Sequence, residues 1–447
     1  MTDRKIEHNG RNLFLDRVRQ VMELRDLDTL LSRGETRTRR RLVAARSDER
    51  TKQDTLKSTR RGEYGRAGKV VMRGEVARGT ESTARAAELL FPDREAELAN
   101  LPRPGEPLPA APFDRDIFMN LVSLDNIKTG SAADGSGNRW EHIAWVVEAG
   151  GADVLFDLCS ALWSGALRED NGEVLGMGWV FSGVLTCLRK EGDAEDQVSL
   201  SSRRKIRPIG IGSVLQRLVG GVGTRMSKDQ FGAIFDPPTR EDERAPLNAG
   251  VACVGGREQV QTSIADILAA SPPPPPGRPN QVLAVAYVDQ SAAFQNASRR
   301  EFFQQCIDKT PGSYEWTLQC YGRKKPMYFR REDGSIHTIW CSAGTTQGDP
   351  FGPADHGLAQ LRWCKKLQEL LDAGILMYLD DNHVVGPQEV IAQFLTVVTD
   401  EGGEYEITAN TGTAVNLAKS GVWSLESAYY SRAEFVTLDG EDTPAFT

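Results

Sequence analysis

The chain has 447 residues, 40% of them hydrophobic and 26% charged, which suits a globular protein with a sizeable core and more than one structural unit. No apolar run approaches the ~20 residues that span a bilayer, and Met1-Thr2-Asp3-Arg4-Lys5 lacks the apolar stretch of a secretory signal. The expectation is an intracellular protein, nuclear or cytoplasmic, not secreted and with no membrane partner. The seven cysteines (Cys159, Cys187, Cys253, Cys306, Cys320, Cys341, Cys364) are odd in number, scattered and without a Cys-x-x-Cys pair, which argues against both a disulfide framework and a zinc site.

The net charge of −8 hides an asymmetry: Arg33 to Arg78 carries fifteen Lys or Arg against six Asp or Glu. A basic arm on an acidic body suits contact with phosphates, the plainer alternative being a solvated tail. Arg37-Thr38-Arg39-Arg40-Arg41 also reads as a nuclear-import signal. Residues 1–80 hold one short helical pattern, Leu13 to Leu27, and are otherwise poor in apolar residues, so a basic, largely disordered extension is expected. Glu81 to Leu101 predicts one amphipathic helix, stopped by Pro102-Arg103-Pro104-Gly105 and followed by a Pro/Ala linker, so that 81–119 forms a helical extension. Further on, Ile143 to Leu167 reads as helical, and Trp179 to Leu188 and Ile206 to Ile211 as extended. The five prolines Pro272 to Pro276 mark a stiff surface insertion over 271–280. After it, Val282 to Val288 has the length and β-branched content of a strand buried on both faces, ending at Asp289.

Three segments carry the chemistry. Tyr287-Val288-Asp289 ends that strand on a carboxylate. Ile375 to Gly386 places Asp380-Asp381 between two apolar runs, the pattern of a hairpin with acids at its turn. Adjacent acids are unfavourable unless a positive charge sits beside them, and a pair of Mg²⁺ ions would neutralise them while leaving positions open for phosphate and water. Because neighbouring strand residues point to opposite faces, Asp380 is expected to share both metals with Asp289, and Asp381 to act peripherally. Between these segments lies Ser342-Ala343-Gly344-Thr345-Thr346-Gln347-Gly348-Asp349-Pro350, a Gly/Pro-rich turn leading into a helix near Ala354. Gly348 permits close backbone approach to a ligand, Gln347 offers both donor and acceptor, and Asp349 is given only a helix-capping role.

In order, Asp289-x-x-x-Ala293-Phe294, Gln347-Gly348-Asp349-Pro350 and Tyr378-Leu379-Asp380-Asp381 resemble motifs A, B and C of reverse transcriptases. Asn296-Ala297-Ser298-Arg299 and Gly344-x-x-Gln347-Gly348-Asp349-Pro350-x-Gly352-Pro353 are similar to the non-LTR (LINE-type) retrotransposon enzymes in particular. Asp134 to Asn138, Lys205-Ile206-Arg207-Pro208-Ile209, Gly255-Gly256-x-Glu258 and Gly412 to Ser420 resemble further motifs of that family, so the likeness covers about residues 120–425. Asn382 and His383 depart from it without removing a ligand.

The resemblance implies an α+β fold, a right-hand polymerase palm with an antiparallel sheet and packed helices, plus fingers. The expected layout is fingers over 120–270, palm over 281–430 and a C-terminal tail over 431–447, with the thumb absent or truncated. It implies transfer of dNTPs onto a primer 3′-hydroxyl on an RNA template, with two Mg²⁺ ions (Mn²⁺ as substitute) on Asp289, Asp380 and Asp381. Lys205 and Arg207 would contact the triphosphate, Gln347 and Gly348 would line the nucleotide, and Lys419 would protonate pyrophosphate. Phe294 would exclude a ribose 2′-hydroxyl by steric clash. RNA template, DNA primer and dNTPs are the implied partners, together with an additional subunit or domain supplying the thumb. Two alternatives stay open: a catalytically idle, retroelement-derived nucleic-acid-binding protein, and an RNA-dependent RNA polymerase.

Overall fold

The computed structural model describes residues 76–437, except 124–125, 128–131, 168–179, 190–205, 236–247, 254–255, 271–282, 372, 417–418 and 426–432. Most of the basic arm, the proline run and Lys205 lie outside the described residues, as does the C-terminal tail beyond 437. Among the described residues no helix is long and apolar enough to cross a membrane.

Helices pack against two sheets. The first has four strands, β1 (Gly183–Arg189), β2 (Ile206–Gly212), β4 (Lys325–Arg330) and β5 (Ile336–Cys341), in the order β2-β1-β4-β5. All its pairs are antiparallel except β1 with β4. The second is built on β3 (Leu283–Ser291), with β6 (Gly374–Tyr378), β7 (Asp381–Pro387), β9 (Gly421–Leu425) and β10 (Ala433–Thr437) in the order β10-β9-β3-β7-β6. The short β8 (Ala414–Val415) pairs with the far end of β3. Every pairing in this second sheet is antiparallel.

The apolar run that predicts a strand buried on both faces becomes β3, the central strand. One face packs Ala284, Ala286 and Val288 against Trp363, Leu367 and Phe394. The other packs Val285 with Leu376 and Val385 against Val260 and Ala249. Trp363 and Leu367 belong to a 19-residue helix, Gly352–Leu370, starting two residues before the predicted Ala354 with Pro353 in its first turn, where a missing N–H costs nothing. A second core gathers Trp163, Trp316, Phe351 and Phe302 where the helices meet.

Two helical expectations need correction. In place of one helix over Glu81 to Leu101 there are two, Glu81–Glu88 and Glu95–Leu98. Pro92 lies between them; it lacks an amide donor and biases Phe91 away from helical geometry. The predicted helix Ile143 to Leu167 is Trp140–Val146 and Ala152–Trp163, joined by a wide turn in which Gly150 takes a left-handed φ of 86°.

Candidate active site

β3 and β7 run antiparallel in a register that sets Asp289 opposite Asp381, and β6 continues the row with Tyr378 opposite Asp381. The two distant acidic segments therefore meet at one end of the second sheet. Asp380 lies in the two-residue turn between β6 and β7, before β7 begins. The strand alternation expected to separate Asp380 from Asp381 does not operate there, because only Asp381 is in a strand. What distinguishes the two is hydrogen bonding: the Tyr287 hydroxyl donates to Asp381 Oδ1 at 2.7 Å. Burial, and then that bond, keep the phenol protonated, so it remains a donor.

Asp289 is gripped by the segment after β8. Asn416 donates to the Asp289 carbonyl at 2.8 Å through its main chain, and to carboxylate Oδ2 at 2.6 Å through its side chain. The Ser420 hydroxyl accepts from the Asp289 amide at 3.0 Å. Lys419 Nζ is 3.8 Å from Asp289 Oδ2 and half exposed. Asn416 and Ser420 were assigned no role from sequence, although both lie in the Gly412 to Ser420 segment.

The Asp380 turn depends on Leu379, whose φ of 56° is left-handed, an uncommon conformation for a residue with a branched side chain. Its clamp is Asn248, buried and 131 residues distant in sequence. Asn248 Oδ1 accepts from the amides of Leu379 and Gly250, both at 3.0 Å, while Nδ2 points to the Leu379 carbonyl at 3.5 Å. A side chain at Gly250 would meet Leu379 Cγ at 2.5 Å and its amide nitrogen at 2.8 Å, so only glycine allows this approach. Asn248→Ala should lower unfolding free energy by about 1–3 kcal/mol, the cost of leaving buried amides unpaired, as read from urea denaturation.

The Gln347-Gly348 turn is tied to the first sheet: the Gln347 carbonyl accepts from the Gly210 amide in β2 at 2.8 Å. Gly348 has φ 115°, and a Cβ there would collide with the Gly210 carbonyl. β2 also carries Arg207, exposed, whose positive charge is felt at Asp380. Phe294 lies against the Gly352–Leu370 helix, stacked on His356. Asp349 does more than the capping expected of it: Oδ2 accepts from the Tyr321 hydroxyl at 2.6 Å and Gln216 at 3.2 Å, and Oδ1 from the Phe351 amide at 3.0 Å. Three elements are thereby pinned behind the turn.

Electrostatically the three carboxylates outweigh the positive charge near them, the half-exposed Lys419 and the more distant Arg207. Burial first, then the charges of Asp381 and Asp289, push the Asp380 carboxyl up to about 6, against the opposing effects of a hydrogen bond from its own main chain and of Arg207. Buried neighbouring carboxylates are hard oxygen donors, of the kind that could accept a divalent cation. Among the described residues no group of three or more His, Cys, Asp or Glu is gathered closely enough to hold a metal by itself. Asp289 and Asp380 are hard oxygen donors that could hold Mg²⁺, an ion that takes many of its ligands from outside the protein.

No protein-family model and no curated protein matches the chain. Among solved structures it is similar to a telomerase from Candida albicans in complex with the TWJ fragment of telomeric RNA, with 11% identity over 55% of this chain and 45% of that one and a TM-score of 0.38. It is also similar to the apo telomerase of Candida tropicalis (11% identity, 64% and 54% covered, TM-score 0.39) and to that enzyme truncated from its C-terminal domain (12%, 66% and 65%, 0.39). The chain thus spans about half the length of the first two structures. A likeness this slight defines neither fold nor activity, so the function has to be read from the chain's own residues.

Proposed function

We propose that the chain is the polymerase core of a reverse transcriptase of non-LTR retrotransposon type, adding dNTPs to a primer 3′-hydroxyl on an RNA template. The observation that carries this reading is the register of β3 and β7, which sets Asp289 beside Asp381 and the Asp380 turn, within reach of the charge of Arg207. The second sheet is the palm, and in the first sheet β1 and β2 of the fingers span join β4 and β5, which come from the palm span. Asp289 and Asp380 are the residues that would hold a pair of Mg²⁺ or Mn²⁺ ions, with Asp381 held to one side by Tyr287. When bound, such ions supply Lewis acidity to the attacking hydroxyl and to the departing pyrophosphate.

The remaining roles belong to this chain's own groups. Arg207, with Lys205, takes the triphosphate, Arg by a bidentate fork and Lys as a point charge. Gln347 and Gly348, tied to β2, border the nucleotide. Phe294 is the bulky ring that excludes a 2′-hydroxyl in this reading. Lys419 gives a proton to pyrophosphate in this reading, which its ion pair with Asp289 supports.

The test is primer extension on a primed RNA template in Mg²⁺, with dNTPs and NTPs supplied separately. Extension with dNTPs, and much less with NTPs, is expected. Preference for NTPs would make the protein an RNA polymerase, and absence of both would leave an idle nucleic-acid-binding protein.

A further inference from the structure

Against the Phe294 ring lies a polar side chain that none of these roles uses. His356, near the start of the Gly352–Leu370 helix, is fully buried, and its ring stacks on Phe294 with centroids 4.7 Å apart and planes 19° from parallel. A wholly buried imidazole costs more than a leucine in the same place unless its nitrogens find partners. One of them does. Gln360 Nε2 is 2.8 Å from His356 Nε2 and 2.9 Å from Gln290 Oε1. An amide nitrogen has two protons; donating one to each neighbour makes His356 Nε2 an acceptor, and the neutral ring carries its own proton on Nδ1. Gln290, next in β3 after Asp289, also accepts from the Thr413 hydroxyl at 3.0 Å. The imidazole is thus oriented through a buried chain of hydrogen bonds anchored in the strand that carries Asp289. Burial lowers its pKa to about 4, so a flat neutral ring faces Phe294 at physiological pH.

Phe294 is held at its main chain as well, where its carbonyl accepts from the Thr345 amide at 2.6 Å. With that backbone pinned, the freedom left to Phe294 is rotation of its ring, and His356 covers one ring face. Exclusion of one hydroxyl by clash requires a wall that does not yield, because a ring able to swing aside by an ångström imposes little penalty.

We infer that His356 is a specificity-determining positioning residue, whose buried flat ring, stacked on Phe294, keeps Phe294 where it rejects the 2′-hydroxyl of a ribonucleoside triphosphate. This rests on the polymerase reading of Phe294. A branched apolar side chain would fill the space, but only a flat ring packed in place backs a second flat ring in this way.

The experiment compares wild type, Phe294→Ala, His356→Ala and His356→Phe for the ratio of kcat/KM with dNTP to kcat/KM with NTP, on one primed RNA template, with thermal melting of each variant alongside. His356→Ala is expected to lower the ratio about tenfold, mainly by faster NTP incorporation. His356→Phe keeps a flat ring but leaves Gln360 without its acceptor; it should melt lower than wild type yet retain the ratio within about twofold. A purely structural role would make the ratio follow the melting temperature, so that outcome overturns the inference. It is equally overturned if His356→Ala keeps the wild-type ratio while Phe294→Ala loses it, which would leave the polymerase reading standing. A wild type that incorporates neither nucleotide ends the polymerase reading itself, and the inference with it.

Discussion

Asp380→Asn is expected to lower single-turnover nucleotide incorporation by at least about a thousandfold, the scale of losing a group that stabilises transition-state charge. The substitution keeps shape and removes one negative charge from a cluster in which Asp380 is disfavoured by burial and by both neighbouring acids. In metal-free buffer the variant should therefore melt no lower than wild type, so lost activity cannot be ascribed to lost fold. Asp381→Asn is expected to be milder, because that carboxylate is engaged by Tyr287 and an amide oxygen can still accept from the phenol. Equal losses in the two variants, or incorporation by Asp380→Asn at the wild-type rate, would contradict the assignment of Asp380 as the principal ligand.

Arg299→Met is expected to cost about 3–5 kcal/mol of unfolding free energy in urea or guanidinium titrations, among the largest effects of any single substitution. Arg299 is 3% exposed, and its guanidinium donates to five main-chain carbonyls, those of Gly344, Tyr321, Arg323, Cys341 and Ala343, at 2.8–3.4 Å. Burial lowers its pKa to about 10, which still leaves it charged at neutral pH. Methionine fills much of the volume but leaves those carbonyls without the donor, and three of them lie in the segment leading to Gln347. Lysine should not rescue, because one ammonium cannot span a fan of acceptors that a planar fork reaches. A loss below about 1 kcal/mol in Arg299→Met would mean that water replaces the guanidinium.

The chemistry was legible where it depends on local pattern. An apolar β-branched run ending on Asp289, and an acid pair between two apolar runs, are strand and hairpin signals, and they yielded the strands that carry the acids. Register was not legible: nothing local says that Asp289 faces Asp381, or that β1 pairs in parallel with β4. The alternation rule failed at Asp380 because it presumes a continuous strand, and the left-handed Leu379 interrupts one. Asn248 was not singled out and Arg299 only as the end of the Asn296 to Arg299 motif, and the structural roles of both escaped for a shared reason. Each gains its role through backbone brought to it from a distance, 22 to 45 residues for Arg299 and 131 for Asn248 with Leu379. A faint signal did exist at Asn248-Ala249-Gly250, a small amide residue followed by glycine ahead of the predicted motif, but it identifies no partner. Asp349 was undervalued because a helix-cap position explains one of its oxygens and leaves the other unexamined.

The most direct test of the central claim is Mn²⁺ binding by the full chain with and without a dNTP, followed by electron paramagnetic resonance. Two ions per chain are predicted in the presence of the nucleotide, with binding lost in Asp289→Asn and in Asp380→Asn. Mn²⁺ affinity that is unmeasurable, or unchanged in both variants, would contradict the reading of this carboxylate cluster as a polymerase centre.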